Sequence, residues 1–153
     1  MQKIGKLKQV QTTVSAAKEG RFPLEIEGCE GAFGALLLAK LYLSAPGLYF
    51  AVVSRENDVS ELINDLSASG IPCAEFPWWG AVPYRELVSS AVFGDRVKVL
   101  SEITAGNRGV IVLPQRAFLT PLPPPEYIKS LIISGAVAEN WQVKTGSNYR
   151  FSR

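Results

Sequence analysis

The stretch GCEGAFGALLLAK, from Gly28 to Lys40, has glycines spaced as in a loop that could bind the phosphates of a nucleotide. A working loop of the type G-x-x-x-x-G-K-[ST] needs backbone amides around the phosphates, a lysine for the outer phosphates and a hydroxyl for magnesium. Gly28, Gly31 and Gly34 could supply the curved backbone, at the start of a helix whose dipole favours anions. The first chemistry to consider is therefore nucleotide binding.

The side chains that would carry charge and magnesium binding are missing from this loop. If Gly28 is taken as the first glycine, Phe33 occupies the place of the second, Gly34 that of the lysine and Ala35 that of the hydroxyl. Lys40 cannot replace the lysine, because it follows Gly34 by about 9 Å along a helix that rises about 1.5 Å per residue. The sequence lacks both chemical groups at the expected positions.

A carboxylate also stands inside the loop, since Glu30 lies where phosphate oxygens would bind. Gly28, Gly31 and Gly34 with a helix dipole form only a weak, generic anion site. We therefore interpret the loop as a degenerate phosphate loop, in which the glycines make a tight strand-to-helix turn against a closely packed helix. We expect no bound cofactor, no metal and no catalytic residue.

Composition excludes several common catalytic chemistries. The chain has no histidine, which rules out a histidine-containing zinc site, a Ser-His-Asp triad and a Cys-His pair. Its two cysteines, Cys29 and Cys73, are far apart and form no C-x-x-C motif. We expect both to be reduced and to behave as small buried apolar groups.

Length favours one globular domain, and the sequence carries few signals of cellular location. The 153 residues suit one domain, perhaps with part of a second. The formal net charge is +2, and the sequence has no long run of like charges that would suggest nucleic-acid binding. The basic amino terminus is not followed by a secretory core region, and the most apolar run, residues 32–43, is shorter than the roughly 20 residues that span a bilayer. We expect a cytoplasmic protein.

Strand-like and helix-like patterns alternate along the chain. FPLEIEG alternates apolar and acidic residues with period two, whereas GLYFAVVS is continuously apolar, as in a strand buried on both faces of a parallel sheet. The pattern predicts an α/β domain with three layers and a mostly parallel sheet, of the RecA-like or P-loop type. The predicted elements are helices at 2–18, 32–43, 56–69 and 88–104, a short helix beginning near Pro125, and strands at 22–28, 47–54, 71–77, 110–113 and 140–144.

Two segments of the chain resemble motifs of a known family. FPWWGAVPYRELVSSAVFGDRVKVLSEI and GVIVLPQRAFLTPLPPPEYI resemble the amino-terminal, UvrB-like module of bacterial transcription-repair coupling factor, which carries P-x-W-E-x-L-P-Y-D, S-x-R-L-x-x-L and V-x-x-V-x-A-L-x-x-x-x-P-P. The likeness covers residues 22–153. The matching residues are Trp79, Pro83, Tyr84, Arg96, Leu100, Ala117, Leu119, Pro124 and Pro125.

The resemblance implies a non-catalytic domain that serves as a scaffold for UvrA recruitment in transcription-coupled nucleotide excision repair. In that family the phosphate loop of this module is typically degenerate. UvrA binds the following domain, and RNA polymerase and DNA bind further downstream domains of a protein that is an ATP-dependent DNA translocase of the helicase family. The implied division is a lead-in helix at 1–20, the UvrB-like domain at 21–138 and the first strand of a UvrA-binding domain at 139–153.

The chain also departs from the family pattern, and alternatives remain open. Arg85 replaces a usual acid, and SSAV replaces a serine-proline pair. The competing hypothesis is an active nucleotide-binding ATPase domain of the helicase type. The aromatic residues between 76 and 84 could stack on bases or anchor a partner, although a loop folded over the sheet edge is favoured. Asp95 and Arg96 could be a site pair, although a structural ion pair at a helix start is favoured.

Overall fold

The computed structural model describes residues 8–79 and 90–131 of the chain. Three short strands and six helices lie within these ranges. Residues 1–7, 80–89 and 132–153 lie outside the described part, and with them the predicted strand at 140–144. In chain order the elements are α1 (Lys8–Lys18), α2 (Ala32–Ser44), β1 (Leu48–Val53), α3 (Glu56–Ala68), β2 (Cys73–Glu75), α4 (Ser90–Thr104), β3 (Gly109–Pro114), α5 (Gln115–Phe118) and α6 (Pro125–Leu131).

The three strands form a parallel sheet in the order β1-β3-β2. Phe50 of β1 lies beside Ile111 of β3, and Cys73 of β2 lies beside Val110 on the other side. Of the strands in the described part, the one that comes last in sequence therefore occupies the centre. This arrangement confirms the predicted mixed α/β class and the parallel sheet.

One face of the sheet packs against α2 and α3. The apolar positions of α3 recur at intervals of three and four residues, so they form one stripe along the helix. That stripe meets the side chains of β3 that point to the same side, because alternate residues of a strand share a face. The fully buried members of this first core are Ala39, Val59, Leu66, Ile71, Val110 and Val112.

The opposite face of β3 packs against α4 and the short helix α5. Val99 of α4 is buried here, and Ala117 of α5 lies directly beyond the end of β3. The segment after β2 also contributes, since Phe76 is buried and Trp78 packs against the cluster. The buried members of this second core are Phe76, Val99, Ile111, Leu113 and Ala117.

The two six-residue strands differ sharply in burial. Every residue of β3 is buried, whereas β1 alternates between exposed and half-buried residues, with Phe50 52% exposed. The prediction that residues 47–54 are buried on both faces is therefore wrong. The reason is position in the sheet: β1 lies at an edge, and the second core covers β3 and β2 but not the outer side of β1.

The predicted strand at 22–28 is also wrong, since the structure gives this segment no regular secondary structure. Phe22, Leu24 and Ile26 are all exposed, with Phe22 at 69%. Alternation of apolar residues indicates a strand only where a neighbouring strand supplies hydrogen bonds and a core covers one face. Within the described residues the sheet ends at β1, and neither condition is met by residues 22–28.

The lead-in helix is observed over the described part of its predicted range. Val10 and Ala16 of α1 are buried, and α1 packs against α2. The mostly apolar α2 buries Ala35, Leu37 and Ala39, while Leu43 remains exposed. The prediction that α2 must be covered on most sides holds for its central turns. The proposed domain limits at residues 20 and 138 stay predictions.

Candidate functional site

The backbone of the glycine turn explains why glycine stands at each of its three positions. Gly28 has φ of 72° and Gly31 has φ of 57°, which is the left-handed region that other residues rarely adopt. Gly34 lies inside α2, and a Cβ there would collide with the carbonyl oxygen of Cys29. The turn is thus shaped by backbone conformation and by the close approach of two chain segments.

The two positions that would supply lysine and hydroxyl border the cleft beside the turn but carry neither group. Gly34 touches the preceding loop, and Ala35 is buried with its amide donating to the carbonyl of Gly31 at 3.3 Å. Lys40 is exposed on α2, six residues beyond Gly34. The structure therefore brings Gly28, Gly31 and Gly34 together in one turn, but it does not bring the nearest lysine of the sequence to that turn.

A cleft of about 890 Å³ opens beside the turn, between the start of α2, the carboxyl end of β1 and one side of α3. Ligands of α/β proteins usually bind at this end of a parallel sheet, so the location is the one expected of a nucleotide site. The charged residues that line the cleft are Glu30, Arg55, Asp58, Glu61 and Asp65.

The charges in this cleft are those of a site that repels phosphate. Arg55 is the one basic residue among the described residues of the lining, and it forms a two-point ion pair with Asp58, at 3.0 Å and 3.2 Å. The hydrogen bond to Asp58 raises the pKa of Arg55 above its ordinary value. Within the described residues Glu30, Glu61 and Asp65 form no salt bridge, although Glu61 also interacts electrostatically with Arg55, so an added phosphate would meet a surplus of carboxylates.

A second notable region lies at the carboxyl end of β2, where Arg96 is only 1% exposed. Its guanidinium carbon lies 4.0 Å from the centre of the Phe76 ring and 4.3 Å from that of the Trp79 ring. Its Nη1 donates a hydrogen bond of 2.6 Å to the carbonyl oxygen of Pro77. The cation is thus sandwiched between two aromatic rings, a geometry that favours arginine over lysine.

The favoured interpretation of Asp95 and Arg96 as an ion pair at a helix start is wrong. Arg96 lies in the middle of α4 and points into the second region, while Asp95 is exposed. Consecutive helical residues project in directions about 100° apart, so neighbours in sequence do not face each other. Burial lowers the pKa of Arg96, yet a guanidinium keeps its proton under all ordinary conditions.

The aromatic residues after β2 follow the favoured prediction in part. Phe76 is buried and Trp78 packs against the second core, so the start of this connection folds over the sheet. Trp78 also lies 5.1 Å from Arg116, which is 70% exposed and sits 3.8 Å from Glu56. Tyr84 lies outside the described residues. Base stacking or partner binding by this group remains untested.

Sequence reasoning missed the environment of Arg96, although a signal was present. Val92, Arg96 and Val99 are spaced by four and three residues, so Arg96 continues an apolar stripe of α4. An arginine on such a stripe is either buried or ends the stripe. The aromatic residues that enclose it come from a separate segment, and no local pattern connects them with α4.

The two cysteines add no further chemistry to these regions. Both cysteines are free, as expected, but both are half-buried rather than buried. The Sγ of Cys73 lies 3.4 Å from the Oγ of Ser67 and 3.7 Å from the carbonyl oxygen of Ile63. In residues 8–79 and 90–131, no three His, Cys, Asp or Glu side chains cluster as metal ligands would.

Comparison with models of protein families, with curated proteins and with solved structures finds no match to this chain. Of the helices in the described part of the chain, none combines the length and apolar character that a membrane crossing requires.

Proposed function

We propose that this chain is a non-catalytic, cytoplasmic α/β domain from the amino end of a transcription-repair coupling factor. In this proposal it acts as a scaffold that presents an adjoining UvrA-binding domain during transcription-coupled nucleotide excision repair. Its sheet would belong to a RecA-like domain of three layers whose phosphate loop has lost its chemistry. The three parallel strands, with helices between them in the chain, support that assignment.

The observation that carries the non-catalytic part is the chemistry of the cleft beside the glycine turn. The turn and the start of α2 border a cleft at the carboxyl end of β1, although the turn follows an irregular segment and not the predicted strand. The lysine and hydroxyl positions hold Gly34 and Ala35. The lining carboxylates outnumber the single arginine, which is already paired. Phosphate transfer needs cations that neutralise developing negative charge, whereas the described lining of this cleft has an excess of carboxylates.

The link to the coupling factor comes from residues that match its motifs in order. Two of them, Leu100 and Ala117, belong to the second core, and Trp79 stacks on Arg96, although these two come from different motifs. Leu119, Pro124 and Pro125 are exposed. Motif residues that pack around one core support a shared fold better than the same matches scattered over a surface would.

Capture of UvrA tests the proposed scaffold role. We expect immobilised UvrA to retain little of this chain, and to retain a chain extended downstream by about one hundred residues, the size of a small domain. Equal capture of the two chains would place the interface within residues 1–153 and contradict the division of roles. Failure of UvrA to capture either chain would remove support for the coupling-factor assignment.

A further inference from the structure

The connection between α5 and α6 is rich in proline. Its sequence is TPLPPP, and the structure gives residues 120–124 neither helix nor strand, since α6 begins at Pro125. Proline fixes its own φ at about −65° and keeps the residue before it out of the helical region. Every residue in 120–124 is a proline or precedes one. These restrictions favour the polyproline II conformation for this stretch, which we call the proline segment.

The exposure of the side chains follows the period of that conformation. A polyproline II helix has about three residues per turn, so residues i and i+3 lie along one edge. Thr120 and Pro123 are half-buried, whereas Pro121, Leu122 and Pro124 are exposed. One edge of the proline segment therefore rests against the protein, and the other two edges face outward.

Hydrogen bonds to the flanking helices fix both ends of the proline segment. Oγ1 of Thr120 donates to the carbonyl oxygen of Arg116 at 2.7 Å, and the carbonyl oxygen of Pro124 accepts from the amide of Tyr127 at 3.0 Å. Between these ends, residues 121–123 make no backbone hydrogen bond within the described part of the chain. The segment is therefore held in place at its ends, while its central carbonyl groups are free to accept hydrogen bonds.

The outward side of the proline segment is apolar. Leu122 is 53% exposed, and Leu119, just before the segment, is 70% exposed. Residues 120–124 include no charged side chain. A segment that is already extended loses little conformational freedom on binding, so its apolar side chains and free carbonyls can bind a partner at low entropic cost. Proline-rich ligands bind grooves lined by aromatic side chains in this way.

We propose that the proline segment is a docking site for a partner protein that presents a groove lined by aromatic side chains. Pro121 and Pro124, spaced as in a P-x-x-P ligand, enter the groove together with Leu122. The free carbonyls accept hydrogen bonds from indole and phenol groups of the groove. Pairing with a strand of the partner is disfavoured, because Leu122 carries the only backbone N–H in residues 121–124.

Binding to purified domains with such grooves tests the proposal. SH3, WW and EVH1 domains are immobilised, and binding of the full chain to each is measured by biolayer interferometry. We expect at least one of these domains to bind the chain saturably. In ¹⁵N-labelled protein, the amide signal of Leu122 should then shift when that domain is added, because Leu122 lies in the proposed interface.

Two variants distinguish this surface from other parts of the chain. Pro121→Ala combined with Pro124→Ala removes both outward rings, and Leu122→Lys keeps every proline but puts a charge in the groove. Each should weaken binding by about tenfold or more. All three residues are exposed, so thermal unfolding should change little. Pro46→Ala is the matched control, since Pro46 is exposed and has no neighbouring proline, and it should bind like wild type.

Three results would overturn the proposal. The first is that none of the domains binds the chain. The second is binding that survives both the double proline substitution and Leu122→Lys, which would place the interface elsewhere. The third is equal loss of binding in Pro46→Ala, which would indicate a general effect of losing a proline. None of these outcomes depends on UvrA capture or on nucleotide binding.

Discussion

The glycine turn and the Arg96 region lie at the same end of the sheet, but the charges are open to solvent in the first and buried in the second. Beside the turn, carboxylates line an open cleft and are reached by solvent, so their repulsion is screened and costs little. In the other region a single guanidinium is almost completely buried between two rings. The sequence motif points to the first region, whereas the energetically unusual feature, the nearly complete burial of a charged side chain, lies in the second.

The glycines of a motif can persist for structural reasons after its chemical groups are lost. Gly28 and Gly31 are needed for backbone conformation alone, and Gly34 for close packing. Those needs persist whether or not a nucleotide binds. Packing alone, by contrast, does not explain Arg96. An apolar residue such as methionine would fill the same space at a smaller desolvation cost.

Removal of Arg96 should have the largest effect on stability. We expect Arg96→Ala to lower the free energy of unfolding by about 3 kcal/mol, because it leaves a cavity between Phe76 and Trp79 and an unpaired carbonyl at Pro77. Arg116→Ala is the matched control, since Arg116 also lies over a tryptophan but is exposed, and it should cost about 0.5 kcal/mol. Urea unfolding measures both. Equal costs would show that burial of the Arg96 sandwich adds nothing.

A methyl group at Gly34 should have the next largest effect. Gly34→Ala pushes its Cβ into the carbonyl of Cys29, which is backbone and cannot move cheaply, so we expect a loss of about 2 kcal/mol. Gly94→Ala is the matched control inside α4, where nothing lies within 4 Å of the added Cβ, and it should stabilise by about 0.5 kcal/mol. Thermal unfolding compares the two. A harmless Gly34→Ala would mean that the turn is not closely packed against α2.

Much of the fold could be predicted from periodicity. The apolar stripe of α3 and the continuous apolar run of β3 gave elements close to those observed. Proline and an acid in the first turn marked α6. The four-residue α5 was not predicted, since one helical turn has too few residues to show a period.

Burial and pairing could not be predicted in the same way. Residues 47–54 and 110–113 look alike in sequence, yet β1 lies at the edge of the sheet and β3 at its centre. The choice depends on which strands lie beside each one, and that is decided by segments distant in the chain. The same limit explains why the alternation of Phe22, Leu24 and Ile26 did not lead to a strand.

The features of the candidate sites also differ in how far the sequence predicts them. Loss of the lysine and hydroxyl could be read directly from Gly34 and Ala35, because loop chemistry depends on neighbouring positions. The acidic lining could not, since Glu61 and Asp65 belong to α3 and reach the cleft only through packing. The sandwich around Arg96 likewise joins α4 to the segment after β2, and only the fold brings them together.

Titration with a fluorescent ATP analogue and magnesium tests whether the glycine turn lacks the function of a phosphate loop. Fluorescence anisotropy is followed up to high micromolar analogue, with an active P-loop ATPase as the positive control. We predict no saturable binding, because in the described lining of the cleft the one cation is already paired with Asp58 and carboxylates are in excess. Saturable, magnesium-dependent binding would show that the turn still binds nucleotide and would favour an active ATPase domain.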